Sequence, residues 1–354
     1  MSSSKYQEIF SAVQRKDVAW LEELCQGGQE VNWWEVRHSR SGDTPLHVSA
    51  AAGSLEVVEW LLMHGCECCL EAQNHDRKTP LHAAAQALHL PVVEALLRHG
   101  ACVDPLKRAD WTPLMLACAK RDSQPVIHWL IQEGANPRLT NKDGWSPFHI
   151  ACREGDEEVV GYLLDVDDTL WSTVSKNGRT PLHTAALHGH PPIVKTLLTR
   201  GQYKTDEQDS CGTTPLMEAL RMGHLDTADL LLSRHGTDLR VRDRMGRTGL
   251  HVAAEAGQEK VVRRLVTELG VDVNVKSSQG QTALHSAARE GHTPLVEDLV
   301  ELGTDVNVQD ENGRTALWLA CAGRRKECAQ RLVQLGARDT PDHAGTTPSQ
   351  LLPL

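Results

Sequence analysis

The residues best able to do chemistry in this sequence are its cysteines and histidines, ten and 18 of them in a chain of 354 residues. The densest group is the run GCECC, which contains Cys66, Cys68 and Cys69. Structural zinc sites usually combine one Cys-x-x-Cys with a second pair of ligands, and no second Cys-x-x-Cys follows here. We therefore predict no metal at this run, and we interpret its cysteines as unpaired thiols at the start of a turn.

Sequence signatures of catalysis and of cofactor binding are missing from the chain. No glycine-rich phosphate loop follows an apolar run, and neither His-Glu-x-x-His nor Gly-x-Ser-x-Gly occurs. The acidic run DVDD at residues 165–168 lacks the Gly and the distal Glu of a calcium-binding loop. We therefore predict no enzyme activity, no catalytic residue, no cofactor and no metal.

The elements that position the cysteines and histidines belong to a repeated motif of the form TPLH. A turn such as DENG precedes the motif, and two short stretches with apolar residues at helical spacing follow it. Successive copies begin 32 to 35 residues apart. The first residues of the copies, here called anchors, are Thr44, Thr79, Thr112, Ser146, Thr180, Thr214, Thr248, Thr282 and Thr315, with a degraded copy at Thr347.

Each part of the motif has a physical role. The Thr or Ser hydroxyl can cap a helix, and Pro at the next position lacks the amide that would go unbonded there. Asp167 stands where a helix-ending Gly is expected, and an acid opposes the dipole at a helix C-terminus, so we expect a locally weak turn. The glycines expected to end second helices in the left-handed conformation are Gly201, Gly236, Gly270, Gly303 and Gly336.

The motif resembles the ankyrin repeat, and nine anchors in register extend this resemblance over nearly the whole chain. The resemblance implies an all-α repeat solenoid, an ankyrin stack of paired helices with hairpin-like turns, here called fingers, beside a concave face that binds other proteins. In three copies Met115, Met217 and Trp318 replace the motif histidine. The resemblance also implies that the remaining motif histidines tie neighbouring turns together: His47, His82, His149, His183, His251 and His285.

The two ends of the array depart from the motif. Residues 1–38 have a two-helix pattern without TPLH and a long first turn, and are predicted to form an N-terminal cap. Residues 39–340 are predicted to form the ankyrin repeats, and residues 341–354 a truncated C-terminal capping segment. Cys118, Cys152 and Cys321 stand where other copies have Ala, so we predict that they are buried and unpaired.

Tryptophans and basic residues recur at equivalent positions of the predicted fingers. Trp111 and Trp145 each stand directly before an anchor, as in LKRADWTPLM. Trp and Arg are enriched in binding hot spots, although these tryptophans could instead only stiffen the stack. The predicted partner-binding surface comprises Lys107, Arg108, Trp111, Lys120, Lys142, Trp145, Arg153, Lys176, Arg179 and His188. A secondary candidate patch comprises Arg240, Arg242, Arg244 and Arg247.

The overall charge bears on the class of partner. The chain has 37 Lys plus Arg against 47 Asp plus Glu, a formal net charge of -10. This balance does not favour nucleic acid, so we predict a partner protein with an acidic or mixed polar surface. Nucleic-acid or ribonucleoprotein contact through the basic finger column is an alternative. A second alternative is that finger lysines act as amine nucleophiles within a partner complex, which requires a lowered pKa.

Localisation follows from signals that the sequence lacks. The stretch MSSSKYQEIF has no basic-then-apolar signal segment, and no apolar run approaches the ~20 residues needed to cross a bilayer. We expect a protein of the cytoplasm and also of the nucleus, without membrane contact and monomeric when unbound.

Overall fold

The computed structural model describes residues 3–26 and 31–353. Within those ranges it contains 21 α-helices and no β-strand, which confirms the predicted all-α repeat fold. Contacts divide the chain into two compact units, with the division between Lys176 and Asn177. Part of the predicted N-terminal cap, residues 1, 2 and 27–30, lies outside the described residues, as does Leu354 of the predicted C-terminal cap.

The first unit is a stack of helix pairs. First helices pack on one another, α3 on α5, α5 on α7 and α7 on α9, and second helices do the same from α4 to α10. Short 3-10 turns lie at Cys66–Cys69, Arg108–Asp110 and Leu170–Ser172. The helices are α1 (Ser3–Arg15), α2 (Val18–Gln26), α3 (Pro45–Ala51), α4 (Leu55–Met63), α5 (Pro80–Gln86), α6 (Leu90–Arg98), α7 (Pro113–Cys118), α8 (Gln124–Gln132), α9 (Pro147–Glu154) and α10 (Glu157–Val166).

The second unit repeats this arrangement. Its first helices pack in order from α11 to α21, and α14 continues into a π-helical turn at Leu231–His235. The helices are α11 (Pro181–His188), α12 (Pro191–Arg200), α13 (Pro215–Met222), α14 (Leu225–Leu230), α15 (Gly249–Glu255), α16 (Glu259–Thr267), α17 (Ala283–Glu290), α18 (Thr293–Glu301), α19 (Ala316–Ala322), α20 (Lys326–Gln334) and α21 (Pro348–Leu351).

The anchors begin the first helices, as the motif predicts. At Thr44 the side-chain oxygen accepts a hydrogen bond from the amide of His47, and the ring Nδ1 of His47 accepts one from the amide of Thr44. This reciprocal pairing satisfies two amides that the first turn of a helix leaves without intrahelical partners. Because Pro45 fills the first helical position without an amide, the helix starts at one defined residue.

Five motif histidines each connect a first helix to the following finger. Since Nδ1 accepts from the anchor amide, the proton is on Nε2, which donates to a carbonyl oxygen of the next repeat. Burial lowers the pKa of His82 and of His183 to about 4, so both rings are neutral at pH 7. The Nε2–O distances are 2.8 Å for His47 to Lys78, 3.0 Å for His82 to Trp111, 3.0 Å for His183 to Thr213, 2.9 Å for His251 to Gln281 and 3.1 Å for His285 to Arg314.

One of the three copies that lack the histidine makes the same connection with a different side chain. The indole Nε1 of Trp318 donates to the carbonyl oxygen of Thr346 at 3.1 Å. Met115 and Met217 are buried, and a thioether has no proton to donate to the next finger. Replacement of the histidine therefore keeps the link at Trp318 and loses it at the two methionines.

The glycine prediction holds at four positions and is wrong at Gly201. Gly236, Gly270, Gly303 and Gly336 have φ of 64°, 66°, 99° and 93°, the left-handed region. Gly201 is extended, with φ -92° and ψ 162°. A Cβ on Gly201 would lie 2.7 Å from the ring of Tyr203 and 2.8 Å from the carbonyl oxygen of Leu197, so close approach is what requires glycine here.

The end of α10 differs from the weak turn expected at Asp167. The Arg138 guanidinium donates to the Asp167 carboxylate at 2.6 and 3.0 Å, and the amide of Thr169 donates to it at 3.0 Å. Burial raises the pKa of Asp167, but the hydrogen bonds from Thr169 and Arg138 outweigh burial and hold that pKa below its usual value. The acid that opposes the helix dipole is thus neutralised by Arg138, a cation of the preceding loop.

The cysteines at the small-residue position lie in the core. Cys118, Cys152 and Cys321 are buried and form no disulfide, as predicted. Burial raises the thiol pKa of each, to about 11 at Cys321. Free cysteines in such surroundings behave as small apolar residues.

Candidate functional site

Two fingers of the first unit, residues 107–111 and 141–145, carry the tryptophans of the predicted surface. In the first finger the amide of Lys107 donates to the carbonyl oxygen of Trp111 at 3.0 Å. In the second the amide of Asn141 donates to that of Trp145, also at 3.0 Å. Each tryptophan is therefore fixed at the closing residue of a hydrogen-bonded hairpin.

Hydrogen bonds between fingers set the predicted basic column in register. The amide of Arg108 donates to the carbonyl oxygen of Asp76 at 2.8 Å, and that of Lys142 to Ala109 at 3.0 Å. The amide of Lys176 donates to Asp143 at 3.0 Å. The structure thus places Arg108, Lys142 and Lys176 at equivalent points of consecutive fingers, with exposed side chains.

Trp145 lies against the helix that follows its finger. Its ring centroid is 6.1 Å from the ring of His149, and the Arg153 guanidinium is 5.9 Å from the Trp145 ring centroid. His149 and Arg153 are four residues apart on α9, so both can reach the same side of the helix. Arg153 also pairs with Glu154 at 2.6 Å, which reduces its net charge toward a partner.

Trp111 has a comparable but looser environment. The ammonium of Lys107 is 5.7 Å from the Trp111 ring centroid, and the Trp111 carbonyl is the acceptor for His82. Both indoles are half-buried, so each keeps a face that a partner can cover. Cations held near aromatic rings in this way form mixed aromatic and basic patches that suit protein recognition.

Three copies in the second unit have arginine at the position before the anchor, and these arginines are used internally. Arg247 donates to the Asp243 carboxylate at 2.8 Å, and Arg314 donates to Asp310 at 2.9 Å. Arg179, a residue of the predicted surface, pairs with Asp209 at 3.3 Å and also with the carboxylate of Glu218. The three turn aspartates are buried, so these arginines neutralise carboxylates of their own unit.

Sequence reasoning missed this internal role of the arginines. The signal was available, because Asp stands four residues before Arg in RDRMGR and in QDENGR. Asp209, Asp243 and Asp310 each stand five residues before an anchor. In the two tryptophan fingers that acidic position is Lys107 or Asn141 instead. Tryptophan thus occurs where no turn carboxylate needs a cation.

The other predicted residues are exposed and less constrained. Lys120 follows α7, and Arg108 forms an ion pair with Asp76 at 3.5 Å in which both side chains are more than half exposed. His188, in the second unit, has its ring centroid 6.4 Å from that of His190. Exposed ion pairs of this kind contribute little to stability, so these side chains are able to rearrange for a partner.

The secondary patch is less basic than its sequence indicates. Arg247 is paired with Asp243 and with Glu255, and Arg240 is paired with Asp238 at 3.1 Å. Arg242 donates to the carbonyl oxygens of Gly246 and Lys276 at 2.7 and 2.6 Å. Arg244 is exposed on its finger. Neighbouring carboxylates thus cancel much of the charge counted in RVRDRMGR.

A groove on the first helices of the first unit was also missed. It has a volume of about 550 Å³. Small residues such as Ala51 and Ala83 line it together with polar residues such as Gln14, Lys78 and Gln86. The motif alanines Ala50, Ala84 and Ala85 are buried and do not line it, so the repeat pattern gives no signal for this groove.

Burial lowers the pKa of the Lys107 ammonium, and the nearby charge of Lys78 lowers it further, while the Asp76 carboxylate acts in the opposite direction. Deprotonation of Lys107 is therefore easier than that of a solvated lysine. This bears on the alternative in which a finger lysine is a nucleophile.

Residues 3–26 and 31–353 contain neither a metal-ligand cluster nor a membrane-spanning helix. Histidine, cysteine and acidic side chains are nowhere grouped there in threes that could hold a metal ion. In the same residues no helix is both long and apolar enough to cross a membrane.

Comparison with known families agrees with the repeat geometry. A family model described as ankyrin repeats in three copies matches residues 66–137, 114–208, 200–277 and 269–343, and a single-repeat model matches residues 41–75. The chain belongs to the ankyrin repeat family. Ankyrin repeats are in general protein–protein interaction modules, and ankyrin repeat proteins are typically non-enzymatic.

Proposed function

We propose that this ankyrin repeat protein is a non-enzymatic adaptor or regulator that binds a partner protein through the tryptophan fingers of its first unit. The surface comprises Lys107, Trp111, Lys142, Trp145 and Arg153, with Arg108, Lys120 and Lys176 at its rim. The observation that carries the proposal is the position of Trp145, half-buried between its finger and Arg153.

Energetics favour these residues as the centre of an interface. A tryptophan has a large apolar area and few rotatable bonds, and truncation at a hot spot typically costs about 2–4 kcal/mol of binding. The hairpin and inter-finger hydrogen bonds hold the backbone in place before binding. Little conformational entropy is then lost on association, which leaves more of the contact energy as affinity.

The partner that suits this surface has apolar residues to cover the indoles and acidic or mixed polar residues around them. Lys107, Arg108, Lys142 and Lys176 contribute positive charge, while Asp76 and Glu154 balance part of it.

We place the protein in the cytoplasm and also in the nucleus, monomeric when unbound. The stretches LKRADWTPLM and NKDGW are similar to the ankyrin repeat domain-containing protein 16 group, and we infer that the chain is related to this group.

The test is an affinity pull-down from cytosol with the wild type, the double variant Trp111→Ala and Trp145→Ala, and the control Trp34→Ala. Trp34 is 48% exposed on the first turn and makes a comparable cation contact, with Arg37 at 4.7 Å. The expected result is loss of a protein partner in the double variant alone, with a melting temperature close to the wild type. Retained binding, or a melting temperature lowered by many degrees, assigns both tryptophans to stacking.

A second candidate function has support at one residue. The lowered pKa of Lys107 favours a role for this amine as a nucleophile within a partner complex. Mass spectrometry of protein recovered with its partner should then show an acyl adduct on Lys107, absent in Lys107→Arg. Recovery of unmodified Lys107 from a partner complex would exclude this role.

A further inference from the structure

Three cysteines lie close together outside the proposed binding surface. Cys66, Cys68 and Cys69 belong to the 3-10 turn that follows α4, immediately after Gly65. Cys66 and Cys69 are buried, and Cys68 is exposed. The Sγ atoms of Cys68 and Cys69 are 3.8 Å apart, and Cys66 and Cys69 lie three residues apart on the same 3-10 turn. One solvent-facing thiol is thus in contact with a buried pair at Cys-x-x-Cys spacing.

The surroundings favour a thiolate at the centre of the cluster. The hydrogen bond from Cys66 lowers the pKa of Cys69 against the opposing effect of burial, and the Cys68 thiol and the Arg37 charge lower it further. Arg37 is held by a hydrogen bond from its Nη1 to the carbonyl oxygen of Gln73 at 2.8 Å. The thiolate is the reactive form of cysteine, so Cys69 is the thiol best able to attack a sulfenic acid formed on Cys68, whose own pKa burial raises.

We propose that residues 66–69 are a modification site at which a hydroperoxide oxidises the cluster to a Cys66–Cys69 disulfide, with Cys68 as the point of entry. Exposure makes Cys68 the thiol that the oxidant meets. Cys69 is in contact with Cys68, so its thiolate can attack the sulfenic acid that forms on Cys68. Cys66, three residues before Cys69, is then placed to form the final disulfide with it. The core cysteines Cys118 and Cys152 do not take part, because burial keeps them protonated.

The chemistry balances in three steps. The Cys68 sulfur attacks the outer oxygen of the hydroperoxide, the O–O bond breaks, and the thiol proton leaves with the alkoxide as an alcohol. The Cys69 thiolate attacks the resulting sulfenic acid, and hydroxide leaves and takes up a proton as water. The Cys66 sulfur then attacks Cys69, and Cys68 leaves as a thiolate that takes up the Cys66 proton. Two sulfur atoms are oxidised, and one hydroperoxide is reduced to alcohol and water.

The experiment treats the full-length protein with hydrogen peroxide, alkylates the remaining thiols with iodoacetamide and maps the peptides by mass spectrometry. The expected product is one disulfide joining Cys66 and Cys69, with Cys68 alkylated, and its reversal by dithiothreitol. The variant Cys68→Ser should form the disulfide several-fold more slowly, and Cys69→Ser should form none. Arg37→Gln should shift the pH profile of the rate upward, because a cation that favours the thiolate is lost.

Cys102 is the matched control, since it is an exposed cysteine in the next loop. Cys102→Ser should leave both the rate and the product unchanged. A wild-type protein in which Cys102 or Cys211 is oxidised while Cys66 and Cys69 remain alkylatable overturns the proposal. So does a disulfide that forms equally fast in Cys68→Ser. Circular dichroism of each variant checks that the repeats are folded, and Cys68→Ser, at an exposed position, tests the entry step even if Cys69→Ser unfolds.

Discussion

The Nε2 atom of His82 donates a hydrogen bond to the carbonyl oxygen of Trp111 at 3.0 Å. A buried ring on the first helix of one repeat therefore holds the finger of the next, at the residue proposed to bind a partner. The scaffold and the candidate site share this contact, so a change in one is expected to affect the other.

We predict that acid weakens the fold through the motif histidines. The pKa of His82 is about 4 in the folded chain against an ordinary value of 6.5, so the unfolded chain binds the proton more readily. Stability from the neutral ring is complete above pH 6.5 and is lost as the pH falls toward 4, by on the order of 2–3 kcal/mol for this ring. Urea unfolding of the wild type between pH 6.5 and 4 should show this decrease in the free energy of unfolding. His82→Gln should be less stable at neutral pH but should show a smaller decrease over the same range. Parallel losses in both proteins would contradict the assignment.

Trp318 should be replaceable by histidine better than by phenylalanine. Its indole Nε1 donates to the carbonyl oxygen of Thr346, the same kind of link that five motif histidines make. Trp318→Phe removes the donor and should destabilise the protein by about 1 kcal/mol from the hydrogen bond, plus lost packing. Trp318→His restores a donor at a position where this repeat geometry accommodates it. Equal or greater stability of the phenylalanine variant, measured by thermal unfolding, would show that packing alone matters here.

Cys118 should tolerate alanine and resist serine. Other repeats have Ala at this position, and the Cys118 side chain is buried among apolar residues. Cys118→Ala should change the free energy of unfolding by less than about 1.5 kcal/mol, because the volume lost is small. Cys118→Ser buries a hydroxyl and should cost about 1–3 kcal/mol if the hydroxyl finds no partner. The exposed Cys102→Ser is the control, with an expected change within about 0.5 kcal/mol.

Charge and aromatic contacts of the proposed surface should affect different rate constants. Lys142 is exposed at the rim, so Lys142→Ala should mainly slow association and reduce its salt dependence. Trp145 is half-buried and central, so Trp145→Ala should mainly accelerate dissociation, by roughly 30-fold or more for a loss above about 2 kcal/mol. Surface plasmon resonance with the captured partner distinguishes the two. The surface is wrongly placed if neither variant changes either rate constant.

Local rules were enough to predict much of the fold from the sequence. Thr44 and its equivalents start helices because a hydroxyl cap acts within one turn, and the recurrence of the motif every 32 to 35 residues indicates that successive repeats stack. The burial of Cys118 was also predictable, because other copies of the motif have alanine at the same position. These features depend on neighbours in sequence or on equivalent positions, and both are visible in a repeating chain.

Contacts between distant side chains were decided only by the tertiary structure. The sequence counts Arg179 as a surface cation, but folding brings the buried carboxylate of Asp209, 30 residues later, within hydrogen-bond distance. It places Asp167 as an acid against the dipole of α10, but Arg138, 29 residues earlier, neutralises it. Charge in a sequence is a sum over residues, whereas charge at a surface depends on which ions pair. That pairing is set by distances of a few ångströms between repeats, which only the packed helices determine.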